Sequence, residues 1–183
     1  MPYAHKAVTV QGVVQAMRAL GVADGVLAKV PPEVKAVLEN PMTARFHPGT
    51  VMDACFTELA AQHGMEKVEQ VMAKATEDSL KGIVAPLARL FMTMMGGGPR
   101  PLLTRFETLI SSGTQGFTAR WEAASEREGT LVIECDLGLP PISDHAWKGV
   151  VTYLLAFAEV KGTVFINPRA AMSREVRLLI SWS

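Results

Sequence analysis

Apolar positions recur with a helical period through the first two-thirds of the chain and with a strand period through much of the rest. Residues 8–20 place Val10, Val13, Val14 and Met17 on one side of a predicted helix, which Gly21 stops. Pro31 and Pro32 open a short second helix that ends at about position 40, because proline suits a first helical turn and Pro41 does not continue one. Phe46-His47-Pro48-Gly49 reads as a turn. The helix after it runs to His63 with Val51, Met52, Cys55, Phe56, Leu59 and Ala60 inward, and Gly64 ends it. Residues 66–81 are amphipathic through Val68, Val71, Met72 and Ala75. Residues 83–95 are apolar on most sides, through Val84, Leu87, Leu90, Phe91 and Met94, with Arg89 as the only charge. A helix of that kind is expected to be buried. After a Gly-Gly-Gly-Pro break, residues 101–110 form another helix with Leu102, Leu103, Phe106 and Leu109 inward.

The period then changes to two. Phe117, Ala119, Trp121 and Ala123 alternate with Thr118, Arg120 and Glu122. Leu131, Ile133 and Cys135 alternate with Val132 and Glu134 across a polar turn, so a hairpin is predicted. Ser143 or Asp144 is the expected cap of a helix carrying Trp147, Val150, Val151, Leu154, Leu155 and Ala158 on one stripe, with Tyr153 and Phe157 beside it. Gly162 stops that helix, residues 163–166 read as a short strand, and Glu175–Trp182 alternates as a last strand. Segregated helices and antiparallel strands give an α+β fold: a layer of about five to seven helices on a small sheet made of the hairpin and the C-terminal strand.

Composition narrows the function. The chain has 183 residues, a length suited to a single domain. Eighteen basic residues balance eighteen acidic ones (Lys+Arg 18, Asp+Glu 18), so no net field attracts nucleic acid or an anionic membrane. No apolar run is long enough to span a bilayer, and the first residues lack a secretory pattern, so a cytoplasmic location is expected. Cys55 and Cys135 are too far apart in sequence to suggest a disulfide framework or a zinc motif.

Several local phrases carry a resemblance. They are Gly12 with Arg18, Val34-Lys35-Ala36-Val37-Leu38, Phe46-His47-Pro48, and Leu90-Phe91 followed by residues 96–103 and Arg105, then the hairpin and the helix–strand ending. They resemble a paralogous family of myxobacterial domains. Its order of elements is similar to the ligand-binding fold of haem nitric-oxide sensors, 4-vinyl-reductase-type sensor domains and the small TRAPP vesicle-tethering subunits. The resemblance implies a domain that binds a ligand or a second subunit rather than an enzyme.

The chemistry of individual branches is not carried over. The Tyr-x-Ser-x-Arg clamp that holds haem propionates is absent, and His5, His47, His63 and His145 all fall at predicted ends or turns, where solvated or capping roles are expected. The C-terminal third offers only Cys135 and His145 towards a zinc site that wants about four ligands. The triple glycine lacks the Lys-Ser/Thr ending of a phosphate loop and follows a helix, so it is a connector. Asp53, Glu58, Asp78 and Asp144 show no paired spacing. No cofactor, metal or catalytic residue is therefore expected. Cys55, Phe56, Leu87, Phe91, Met94, Tyr153 and Phe157 are the expected lining of an apolar ligand pocket among the helices. The alternative is a homodimer or scaffold module that uses the methionine-rich helix as an adaptable contact surface.

Overall fold

A computed structural model describes residues 2–43, 45–81, 84–94 and 97–183, and within 84–94 it describes the side chains of positions 86, 89, 90 and 92–94. A short strand, β1 (Ala4–Lys6), runs straight into helix α1 (Ala7–Ala19), whose Val10, Val13, Val14 and Met17 are buried at helical spacing. Gly21, at φ +71°, turns the chain out of that helix, a conformation open to glycine at little cost. Helices α2 (Ala23–Leu27) and α3 (Pro32–Glu39) follow, the second opened by proline. Phe46–Pro48 is not a free turn. It forms β2, which pairs with β1 in the register His5↔His47.

Helices α4 (Gly49–His63) and α5 (Met65–Leu80) join at Gly64 and bury the stripes expected of them. Helix α6 (Val84–Met94) follows. Met92 is buried, whereas Leu90 is 58% and Met94 76% exposed, so this helix is not covered all round. The single helix expected over residues 101–110 is two short ones, α7 (Arg100–Thr104) and α8 (Phe106–Ser111), broken at Arg105. The break turns Leu109 away from the core that holds Leu102, Leu103 and Phe106. Strand β3 (Thr114–Gln115) pairs with β1, completing a three-stranded sheet with β1 in its centre.

The hairpin β4 (Thr118–Ala123) and β5 (Glu128–Glu134) leads to α9 (Ile142–Phe157), then β6 (Gly162–Ile166) and β7 (Glu175–Trp182). These four strands form an antiparallel sheet in the order β4-β5-β7-β6. The fold is α+β as expected, with nine helices and two sheets among the described residues. The extra elements are too short to register as a period.

Two other expectations change. Asp144 does not cap α9. It is buried and takes three hydrogen bonds from Arg169, the shortest 2.6 Å, while the same guanidinium donates to the carbonyls of Leu139 and Pro140. A carboxylate facing a buried arginine is worth more as its partner than as a cap. Nor does Gly162 stop α9. The helix ends at Phe157, Glu159 takes a left-handed φ of 58°, and Gly162 begins β6.

The apolar side chains form two cores. One joins α1, α2, α4 and α5 through residues such as Val10, Met17, Cys55, Leu59 and Val71. The other joins the four-stranded sheet to α9, α7 and α8 through Leu131, Ile133, Leu178, Val151 and Phe106. Met72 packs against both. On the far face of the sheet Val132 is fully buried although it neighbours Arg120 and Arg177 across the strands. Those arginines reach Glu122 and Glu175, and Arg120 also meets Glu134, so their stems and ion pairs roof the valine.

Candidate functional site

The two cores do not close on each other completely. Between them lies a cavity of about 470 Å³. Val13, Met52 and Phe56 reach it from the first core, and Leu102, Phe106, Trp147 and Leu154 from the second, with Met72 between them. Its size falls within the range of small-molecule sites, and most of its apolar lining is buried, while the exposed Ser79, Thr108, Leu109 and Ser112 give it an open rim. A second cavity of about 530 Å³ lies by Gly97, Gly98, Arg100, Arg127 and Trp182, but Arg100, Glu126 and Arg127 are exposed and give it a surface-facing wall.

Polar groups enter the inner cavity at one end, where the central strand of the small sheet meets α4. The Tyr3 hydroxyl donates a hydrogen bond to Oδ2 of Asp53. Tyr3 is held there by two glycines. A β-carbon on Gly49 would overlap the Tyr3 ring, and one on Gly116, which is at φ +81°, would come within 2.8 Å of the Tyr3 Cα. The Gly49 amide also donates to the Tyr3 carbonyl at 2.9 Å. Burial pushes the Asp53 carboxyl up from its ordinary value, and the Tyr3 bond pulls it partly back. Burial, and then the Asp53 bond, pushes the Tyr3 phenol up as well.

His5 lines the same end. Burial pushes its imidazole down to about 4, so it is neutral at ordinary pH. Its Nδ1 is shut away from solvent without a partner, as is Nε2 of the buried His47 on the neighbouring strand. These two histidines are therefore structural parts of the small sheet rather than solvated or capping ones. His145 pairs with Glu69 at 2.6 Å, and His63 is exposed at the end of α4. Aromatic rings continue the wall from Tyr3. Phe117 stands 5.2 Å from Tyr3, Trp147 5.3 Å from Phe117, and Phe106 5.9 Å from Trp147.

Of the pocket residues expected from sequence, Phe56 and Phe157 line this cavity. Cys55 points the other way, into the first core, with its Sγ 3.8 Å from the Met17 Sδ. Burial pushes that thiol up to about 12. Tyr153 stacks beside Phe157 at 6.1 Å without lining the cavity, and Met94 is exposed on α6. The side chains of Leu87 and Phe91 lie outside the described ones. Tyr3, His5 and Asp53 were not singled out as a group. Their one local signal was the Phe46–Gly49 phrase, which supplies both the strand opposite His5 and the glycine beneath Tyr3. Among the described residues, no group of three or more histidines, cysteines and acids is placed to hold a metal ion.

Comparison with solved structures identifies the fold. The chain is similar to the Fe(II) unliganded H-NOX protein from K. algicida, with a TM-score of 0.72 and 11% identity over 97% of this chain and 96% of that one. An oxygen-binding H-NOX domain related to soluble guanylate cyclases is similar at a TM-score of 0.67 and 10% identity, over 97% of this chain and 94% of the other. A structure probing haem distortion in the H-NOX family gives a TM-score of 0.62 and 11% identity over 97% and 94% of the two chains. At these identities the likeness establishes the architecture. No protein-family model and no curated protein matches the sequence.

Proposed function

We propose that this chain is a sensory or regulatory domain, not itself an enzyme, that holds a small apolar ligand between its two cores. The observation that carries this reading is the cavity of about 470 Å³, whose apolar lining comes from both cores through α1, α4, α5, α8 and α9 and which opens at an exposed rim. Apolar walls with a few convergent polar groups are the ordinary form of a small-molecule site. Phe56 and Phe157 are the proposed apolar contacts, and Leu87 and Phe91 on α6 remain proposed ones. Cys55 supports the wall from behind. The H-NOX-like architecture favours a sensory role, in which ligand entry changes how the two cores pack. We read the chain as a single cytoplasmic domain related to the myxobacterial paralogues. Among the described residues, no helix is long and apolar enough to cross a membrane.

Haem is the group that the fold suggests, and the residues do not fit it. Among the described residues no lysine or arginine lines the cavity, so two propionates would have no cation there, and Asp53 would oppose them. His5 offers one neutral imidazole, which alone does not make a haem site. The alternative reading is a homodimerising interaction module without ligand, favoured by Leu90 and Met94 exposed together on α6. The deciding experiment compares native with denatured mass spectra, then titrates the protein with a neutral fluorescent naphthylamine probe. We expect one-to-one cargo or saturable uptake, lost when Ala75 on the cavity wall is changed to Phe while the circular dichroism is kept. A wild type that shows no cargo and takes up no probe would overturn the ligand reading.

A further inference from the structure

The charge inside the cavity says more about the ligand, given the cavity reading above. Asp53 is the only charged side chain among its described walls. Its hydrogen bond comes from the Tyr3 hydroxyl, a single neutral donor. Asp53 is only partly buried, but a carboxylate beside so much apolar lining, with one neutral donor among the described residues, is still costly, and the upward push on its carboxyl by burial expresses that cost. His5 does not offset the charge, since its imidazole is neutral at ordinary pH. The arrangement is also fixed rather than incidental. Gly49 and Gly116 leave room for Tyr3 where any larger side chain would collide with it, so the hydroxyl is held against Asp53.

The aromatic rings add a second attraction of the same sign. Tyr3, Phe117 and Trp147 follow one another at 5.2 and 5.3 Å, and all three line the cavity. The faces of such rings attract cations, most strongly where water is excluded. A carboxylate beside an aromatic wall suits an ammonium group, and the apolar remainder of the cavity suits a hydrocarbon body.

We propose that the cavity selects an apolar amine, whose ammonium group meets the Asp53 carboxylate among the Tyr3 and Phe117 rings and whose hydrocarbon body lies against Phe56, Trp147 and Phe157. A carboxylic acid of the same length would set a like charge beside Asp53, and a neutral alcohol could add only a hydrogen bond without charge to the apolar contacts.

The test uses the full chain and three probes of equal length: decylamine, 1-decanol and decanoate, each below its micelle concentration at neutral pH. Displacement of the neutral naphthylamine probe measures affinity. We expect decylamine to bind about tenfold or more tighter than decanol, and decanoate to bind weaker than decanol. In Asp53→Asn the amine-to-alcohol ratio is expected to fall close to one. If decanol binds and decylamine binds no tighter, the amine inference is overturned while the ligand cavity stands. A preference that survives Asp53→Asn also overturns it, because the carboxylate is then not the anchor. If the naphthylamine probe itself does not bind, the cavity reading falls and the inference falls with it, whereas if it binds and decylamine does not displace it, the amine inference alone is overturned. Should Asp53→Asn not fold, the wild-type ratio alone still decides.

Discussion

His5 joins the sequence to the site at the scale of single residues. Its strand is three residues long, and its ring is carried into the cavity wall because β1 lies between β2 and β3. Burial holds its pKa at about 4, against about 6.5 in an open chain. Above about pH 6.5 the imidazole is neutral in both states. Between about 6.5 and 4 the unfolded chain takes up a proton that the folded protein refuses, so stability falls as the pH drops through that window, by up to about 3 kcal/mol. His5→Phe removes this contribution. Its denaturant midpoint is expected to decline less steeply than the wild type's between about pH 7 and 4.5. Equal slopes would show that His5 is not buried as described. The apolar members of the wall were open to sequence reasoning, since Phe56 and Phe157 lie on helical stripes. Tyr3 and Asp53 were not, because a pairing between residues 50 positions apart leaves no periodic trace.

Helices and strands differ in how far a pattern determines them. The four long helices α1, α4, α5 and α9 follow their apolar stripes closely, because each stripe has enough turns to establish a period. Strands β1, β2 and β3, of two or three residues, have no period to read. How closely two helices approach is also invisible in a stripe. Gly149 on α9 lies against the Glu69 backbone of α5, where a β-carbon would overlap the carbonyl. Gly149→Ala must therefore push apart two helices that both wall the cavity, and a loss of about 1–3 kcal/mol is expected in equilibrium unfolding. Gly12→Ala in α1 is the control. Its new methyl would meet nothing nearer than the Ser79 hydroxyl at 3.9 Å, and a helical glycine gains stability on such a change, by about 0.4–1 kcal/mol. If the two variants shift the midpoint alike, the α5–α9 approach is not as tight as described.

Two cores that meet at Met72 leave the molecule with a gap between them and with Leu90 and Met94 exposed on α6. The two proposed readings of function correspond to these two features, and Met94 separates them. It is 76% exposed and lines neither cavity, so Met94→Glu is expected to change stability by no more than about 0.5 kcal/mol and to leave probe uptake intact. Sedimentation and a probe titration check this on the same sample. A wild-type dimer that becomes a monomer in the variant would assign α6 as a subunit face and support the interaction reading instead. The balanced charge of the chain gives no long-range field to steer such partners, so any pairing would rest on apolar contact.

The amino-acid pattern alone determined the α+β class, the long helices, the hairpin and last strand, and most of the side chains that each helix buries. Local period and turn chemistry are enough for these, because they depend on neighbours along the chain. Only the tertiary structure decided that Phe46–Pro48 is a strand, that Asp144 pairs with Arg169, and that Cys55 faces the first core while Phe56, one position on, faces the cavity. The cavity belongs to that second group. It exists because two separately packed cores stop short of each other, and its charge comes from Asp53, which meets Tyr3 only once the small sheet has formed. A hydrophobic period reports that a residue is inside, whereas the packing of whole elements sets what it meets there.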